Sequence, residues 1–161
     1  MIQNSDYSKR FEKMPVEIYK NSAEAAKVIA QEIIDLINYT PEKSKCAICF
    51  DATSASIPVY EKIVEAYNNH LVSFKNVIAF SMSEYYPLDR QELQSHYRFL
   101  KEYIFDQVDI LPENIKCLES TRRDNIKEYC DSYEKAIFDA GGIDIRDEVN
   151  AAHVKQGKWR Y

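Results

Sequence analysis

Two short polar stretches hold the side chains best suited to chemistry: DATSAS, residues 51–56, and SEYY, residues 83–86. In the first, Thr53, Ser54 and Ser56 precede an expected helix. Unpaired N–H groups and the helix dipole favour an anion there, and hydroxyls add donors to a phosphate. The plainer alternative is that one of these hydroxyls caps the helix, the usual work of serine and threonine at such positions. In the second stretch, Glu84 offers a carboxylate to sugar hydroxyls, and Tyr85 and Tyr86 offer flat faces to C–H surface. A solvated loop with one tyrosine on the sheet explains the same residues. Ser83 stands where an acid–base mechanism would want a second carboxylate beside Glu84.

Other candidates have bland readings. His70 falls near a helix end and is expected to cap it or face solvent. His96, beside Tyr97, is expected inside a helix, packed or exposed. His153 lies in a tail of irregular pattern. Cys46 and Cys49 form a C-x-x-C, but KCAICF reads as a strand, whose period of two puts the two thiols on opposite faces. With Cys117 and Cys130 they are expected to be reduced and mostly buried. No His/Cys/Asp/Glu group has metal-ligand spacing, and no cofactor is expected. All three glycines lie at or beyond Gly141, so a glycine-rich phosphate loop or dinucleotide fingerprint is excluded before that point.

These stretches need a scaffold. A chain of 161 residues fits one domain and buries ~70% of its unfolded surface. An apolar fraction of 45% with 29% charged residues is that of a globular domain. A net charge of −5 argues against nucleic-acid or anionic-membrane partners, and the apolar runs are too short to span a bilayer. The N-terminus lacks a signal peptide's apolar core, which makes the cytoplasm the expected location.

Along the chain, residues 1–15 read as a loose arm. Asn21 and Glu24 make a capping pair for a helix from 22 to about 38, with Val28, Ile29, Ile33, Leu36 and Ile37 on one face. A strand is expected over 45–50, then a helix over 57–70 with Pro58 in its first turn and Ile63, Val64 and Tyr67 on its buried stripe. A strand over 77–82 leads to the SEYY loop. A helix over 92–105 follows, then a turn at LPEN and a short strand over 115–118. The last helix, 124–140, closes at Gly141-Gly142, and a brief strand begins at Ile143. Strands alternating with amphipathic helices predict an α/β, Rossmann-like fold with a mainly parallel sheet. Both polar loops then lie at the carboxyl ends of strands, on the rim where such folds bind ligands. The expected domain is 16–145, with a divergent tail over 146–161.

The stretch SFKNVIAFSMSEYYPLDRQELQSHYRFLKEYIFDQVDILPENI, followed by CDSYEKAIFDAGGIDI, resembles the first half of the glucosamine-6-phosphate deaminases. That family interconverts glucosamine 6-phosphate with fructose 6-phosphate and ammonia. Tyr85 after Ser83-Glu84 favours this family over the sister 6-phosphogluconolactonases, which tend to place arginine there. The resemblance implies a Rossmann-like domain cut short of the family's later strands. It places Ser83 at the position of the aspartate that moves the proton between C1 and C2 of the opened sugar. A serine hydroxyl has no accessible basic form near neutral pH. Glu84 is retained. Thr53 replaces a glycine of the phosphate loop, and Ser54 keeps a phosphate-binding hydroxyl. The family's ring-opening histidine motif has no counterpart after Ile145, and His153 does not match its context. The implied ligand is glucosamine 6-phosphate or a similar sugar phosphate, held by Thr53, Ser54, Ser83, Glu84 and Tyr85. A catalytically incomplete chain is expected. Its present role is left open between weak catalysis, a binding module and a remnant. A homo-oligomer, or pairing with a full-length relative through the sheet edge, is the expected association.

Overall fold

The computed structural model describes residues 16–41, 44–121, 125–147 and 153–154. Helix α1, Ser22–Tyr39, starts where Asn21 Oδ1 accepts the Glu24 N–H at 2.9 Å, while Glu24 reaches back to the Lys20 N–H. This is the expected capping pair, with the return bond one residue earlier. The helix buries Ala26, Ile29, Ala30, Ile33, Ile34 and Ile37 along one stripe.

Strand β2, Cys46–Phe50, is buried at every position, as a central parallel strand must be. It pairs in parallel with β3, Val77–Ser81, on one side and with β4, Ile145–Asp147, on the other, giving the order β3-β2-β4. Alternate residues serve opposite faces. Cys46, Ile48, Phe50, Val77 and Ala79 join α1, helix α2 (Ile57–Asn68) and helix α3 (His96–Tyr103) in the larger core. Ala47, Cys49 and Phe80 face helix α4, Ile126–Asp139. The two C-x-x-C thiols thus face opposite sides, as their spacing predicts. Phe50 anchors the larger core, with Phe105 edge-on at 5.7 Å and Tyr60 at 6.0 Å between ring centroids.

Three thiols are buried and Cys130 is exposed. Burial pushes Cys46 up to about 11, with Asp144 adding to the shift, and pushes Cys117 up to about 12. Thiolate is the reactive form. Alkylation of the native protein at pH 8 is therefore expected to modify Cys130 first and the other three only on unfolding, which peptide mass mapping reads directly.

Several boundaries differ from the sequence expectation. Helix α2 ends at Asn68 rather than 70, closed by a Schellman pair in which Leu71 N–H donates to Ala66 O and His70 N–H to Tyr67 O. His70 therefore takes a left-handed φ of 59°, at the turn where glycine fits best. His70→Gly is expected to stabilise the fold by about 0.5–1 kcal/mol, measured by urea denaturation. The last helix closes in the same way: Gly142 N–H donates to Ile137 O with both glycines at positive φ. Its expected first residue, Asp124, lies outside the described residues, and Asn125 Oδ1 accepts the Glu128 N–H as its cap.

The third helix begins at His96, not 92. Residues 89–95 turn on themselves first, with Asp89 accepting the Gln91 and Glu92 N–H groups, and Ser95 then caps by accepting Arg98 N–H. It ends at Tyr103, where Ile104 leaves helical geometry for a 3-10 turn over Phe105–Gln107. The strand expected over 115–118 is one parallel bridge, Ala79 to Ile115. Beyond it, Leu118 N–H donates to Ser81 Oγ, and the Tyr133 hydroxyl occupies both Ser81 N–H and Ser81 O, so a neighbouring strand finds no backbone partners there.

At the ends of the described chain, β1 (Val16–Glu17) pairs antiparallel with β5 (His153–Val154). His153 is thereby opposite Glu17 in a two-residue ladder, a long-range pairing that local pattern does not reveal. No helix among the described residues is long and apolar enough to cross a membrane.

Candidate functional site

The parallel register aligns Phe50 with Ser81, and Met82 N–H donates to Phe50 O. Residues 51–56 and 82–86 therefore leave adjacent strand ends on one rim. Strand β4 ends there too, with Asp147 opposite Phe50. Since β3 and β4 flank β2 on opposite sides, and α2 and α4 lie on opposite faces, the chain reverses its direction of progress across the sheet at this rim. Such a reversal opens the crevice in which α/β sheets bind ligands.

Within the first loop, Tyr60 OH donates to Asp51 O at 2.6 Å and Thr53 Oγ1 donates to Asp51 Oδ2 at 2.9 Å. Ser56 N–H returns to Thr53 O at 3.1 Å, closing a tight turn. Buried Ser56 is the N-cap residue of α2 but makes no side-chain cap bond, and its Oγ lies 3.4 Å from Thr53 Oγ1. Thr53, Ser54 and Ala55 are exposed over the helix start. Thr53 sits in this turn without positive φ; among the described residues His70 is the one non-glycine that has it.

The second loop is organised by Glu84. Its Oε1 accepts the N–H groups of Tyr85 and His96, each at 3.0 Å, and its Oε2 accepts Ser95 Oγ–H at 2.9 Å and Tyr97 N–H at 3.0 Å. Partial burial alone would raise this carboxyl, but the donors from Tyr97, His96, Ser95 and Tyr85 outweigh it and hold it below its ordinary value. Glu84 thus clamps its own loop to the first turn of α3, where the helix dipole also favours a negative charge.

Ser83 is exposed, and its Oγ lies 3.1 Å from His96 Nδ1; the same nitrogen lies 3.0 Å from Ser83 O. Tyr85, 60% exposed, sets its ring against the imidazole at 4.9 Å. Behind them, the Arg90 guanidinium stacks 3.9 Å over the Tyr97 ring and pairs with Glu119 at 3.2 Å. Of the five residues expected to hold a ligand, the structure gathers Ser83, Glu84 and Tyr85 around one helix start and puts Thr53 and Ser54 on the neighbouring loop. It adds His96, which sequence reasoning placed mid-helix. The signal available for it was Ser95, a strong cap residue immediately before it.

No family model matches the chain. Individual relatives do. A glucosamine-6-phosphate deaminase-like protein of Bacteroides thetaiotaomicron is 38% identical over 138 residues, covering 84% of this chain and 21% of the relative. The glucosamine-6-phosphate deaminase of Caenorhabditis elegans is 34% identical over 133 residues, covering 82% of this chain and 49% of the relative. Among solved structures, a monomeric glucosamine-6-phosphate deaminase superposes with a TM-score of 0.75 at 18% identity, over 81% of this chain and 52% of that one. A 6-phosphogluconolactonase from Thermotoga maritima gives 0.60 at 21% identity, over 77% and 52%. The structural likenesses carry the Rossmann-like fold alone. The chain spans half or less of the length of the relatives it matches. By sequence, over about four fifths of its residues, this chain is similar to proteins named glucosamine-6-phosphate deaminase or isomerase.

Proposed function

We propose that this chain keeps the family's sugar-phosphate rim without its deaminase chemistry. The observation that carries the reading is Ser83. It stands where the resemblance requires the proton-moving aspartate, and its hydroxyl sits beside His96 Nδ1 rather than beside a carboxylate. Glu84 does not supply the missing base in this arrangement, because both of its oxygens already accept two hydrogen bonds from within the protein. A carboxylate so engaged, and held below its ordinary value, is a poor proton acceptor. Glu84 serves instead to position the loop.

Ligand contact then falls to Ser54, Ser83 and Tyr85. Ser54 is exposed at the start of α2, where a phosphate gains from helix N–H groups. Thr53 bounds that approach with its side chain, its hydroxyl hydrogen directed at Asp51. The exposed ring of Tyr85 covers sugar C–H surface. The reading predicts no ammonia release from glucosamine 6-phosphate even at high protein concentration, together with measurable binding of the same compound. Ammonia release above the buffer rate, abolished by Ser83→Ala, would overturn it.

A second reading is association through the sheet. The outer edge of β4 has no strand beyond it among the described residues, and such edges pair readily with other chains. A concentration-dependent mass in sedimentation equilibrium would support a self-pairing form; a constant monomer mass would remove it.

A further inference from the structure

We infer that His96 is a ligand-contacting, specificity-determining residue of this rim, presenting Nε2 as a fixed hydrogen-bond acceptor toward the sugar's donor groups. The inference rests on the sugar-phosphate reading of the rim and extends it to a residue that reading does not use. A carbonyl oxygen only accepts. With Ser83 O at 3.0 Å, His96 Nδ1 must carry the proton in the neutral ring and donate it there. Ser83 Oγ, 3.1 Å from the same nitrogen, is then not an acid that His96 deprotonates; it shares the Nδ1–H as acceptor and keeps its own proton for a ligand. The lone pair of the imidazole is left on Nε2, because the bond made at one ring nitrogen fixes the role of the other.

Three further contacts hold the ring in place. Glu84 fixes the backbone N–H of His96 at 3.0 Å, Ser95 caps the turn that carries it, and the Tyr85 ring packs against the imidazole at 4.9 Å. Among the described residues no group bonds Nε2. The pair therefore offers one donor, Ser83 Oγ–H, and one acceptor, His96 Nε2. An ionised aspartate at position 83 would offer acceptors alone. The ligand class that uses both is a polyol or amino-sugar phosphate with a hydroxyl or amino donor beside an oxygen acceptor.

Nitrogen-15 imidazole NMR of the wild-type chain tests this, free and with glucosamine 6-phosphate. The expected result is the Nδ1–H tautomer in the free protein and a shift of the Nε2 resonance on ligand addition. An Nε2–H tautomer, or an Nε2 that does not move while Ser54 and residues 83–85 respond, would overturn the role of His96 and leave the rim reading standing. No response anywhere on the rim would overturn the rim reading itself, and this inference with it. His96→Asn, which keeps a side-chain N–H within reach of Ser83 O but lacks the far edge of the ring, is expected to weaken binding about 3–10-fold. Unchanged affinity in a folded His96→Asn protein would also overturn it.

Discussion

Glu84→Ala is expected to lower stability by about 2–3 kcal/mol, the scale of losing a helix cap that is also a charged acceptor. Four donors lose their partner at once: the N–H groups of Tyr85, His96 and Tyr97, and the Ser95 hydroxyl. The carboxylate is only partly buried, so water recovers part of each bond and the loss stays well below the sum of four. In a domain of this size that corresponds to a fall of about 5–10 °C in melting temperature. The contribution also depends on pH. The folded carboxyl lies below its ordinary value of 4.5, so its stabilisation is complete above that value and is lost as pH falls through the folded value. The gap between wild type and Glu84→Gln is therefore expected to be constant near neutrality and to close in acid. Urea denaturation across the pH range measures it. A gap that widens in acid would contradict the clamp.

Tyr133→Phe is expected to cost about 2–4 kcal/mol, because one hydroxyl satisfies two buried backbone groups, each worth about 1–3 kcal/mol when left unpaired. The hydroxyl donates to Ser81 O at 2.8 Å and accepts Ser81 N–H at 3.0 Å, and Ser81 is 3% exposed. Burial accordingly pushes the phenol well above its ordinary range. Phenylalanine keeps the ring's edge contact with Phe80 at 5.8 Å but leaves both backbone groups dry and unpaired. Helix α4 has no fully buried residue. It is tied to the sheet side by this hydroxyl and by the Tyr129 hydroxyl, which accepts Glu119 N–H at 2.6 Å. Amide hydrogen exchange should therefore show α4 losing protection in Tyr133→Phe before α1 and α2 do. A uniform loss across all helices would mean that α4 is not a separately opening unit.

The parts of the fold set by local period were legible in the residues. The stripe of α1, the all-apolar run of β2, Pro58 at the start of α2 and the glycine pair after α4 each follow from a local rule. So did the placing of both polar loops on one rim, since strand–loop–helix order requires it. What was hidden depends on contacts between segments distant in sequence. Helix α3 starts four residues later than the expected 92, because Ser95 and the Glu84 carboxylate decide where the helix begins. That displacement concealed the Ser83–His96 pair. The strand expected after Leu111 gave way to a single bridge because Tyr133, some twenty residues later, claims the backbone of Ser81. The pairing of β1 with β5 joins segments more than 130 residues apart.

The likeness to glucosamine-6-phosphate deaminases is carried by sequence identity, and the proposed rim rests on Ser83, Glu84 and His96 together. The most direct test of whether that rim still recognises a sugar phosphate is an amide-correlation NMR titration of the whole chain with glucosamine 6-phosphate. The expected result is a dispersed spectrum in which Ser54 and residues 83–85 shift with saturable concentration dependence while α1 stays still. A dispersed spectrum with no movement at those residues would contradict it.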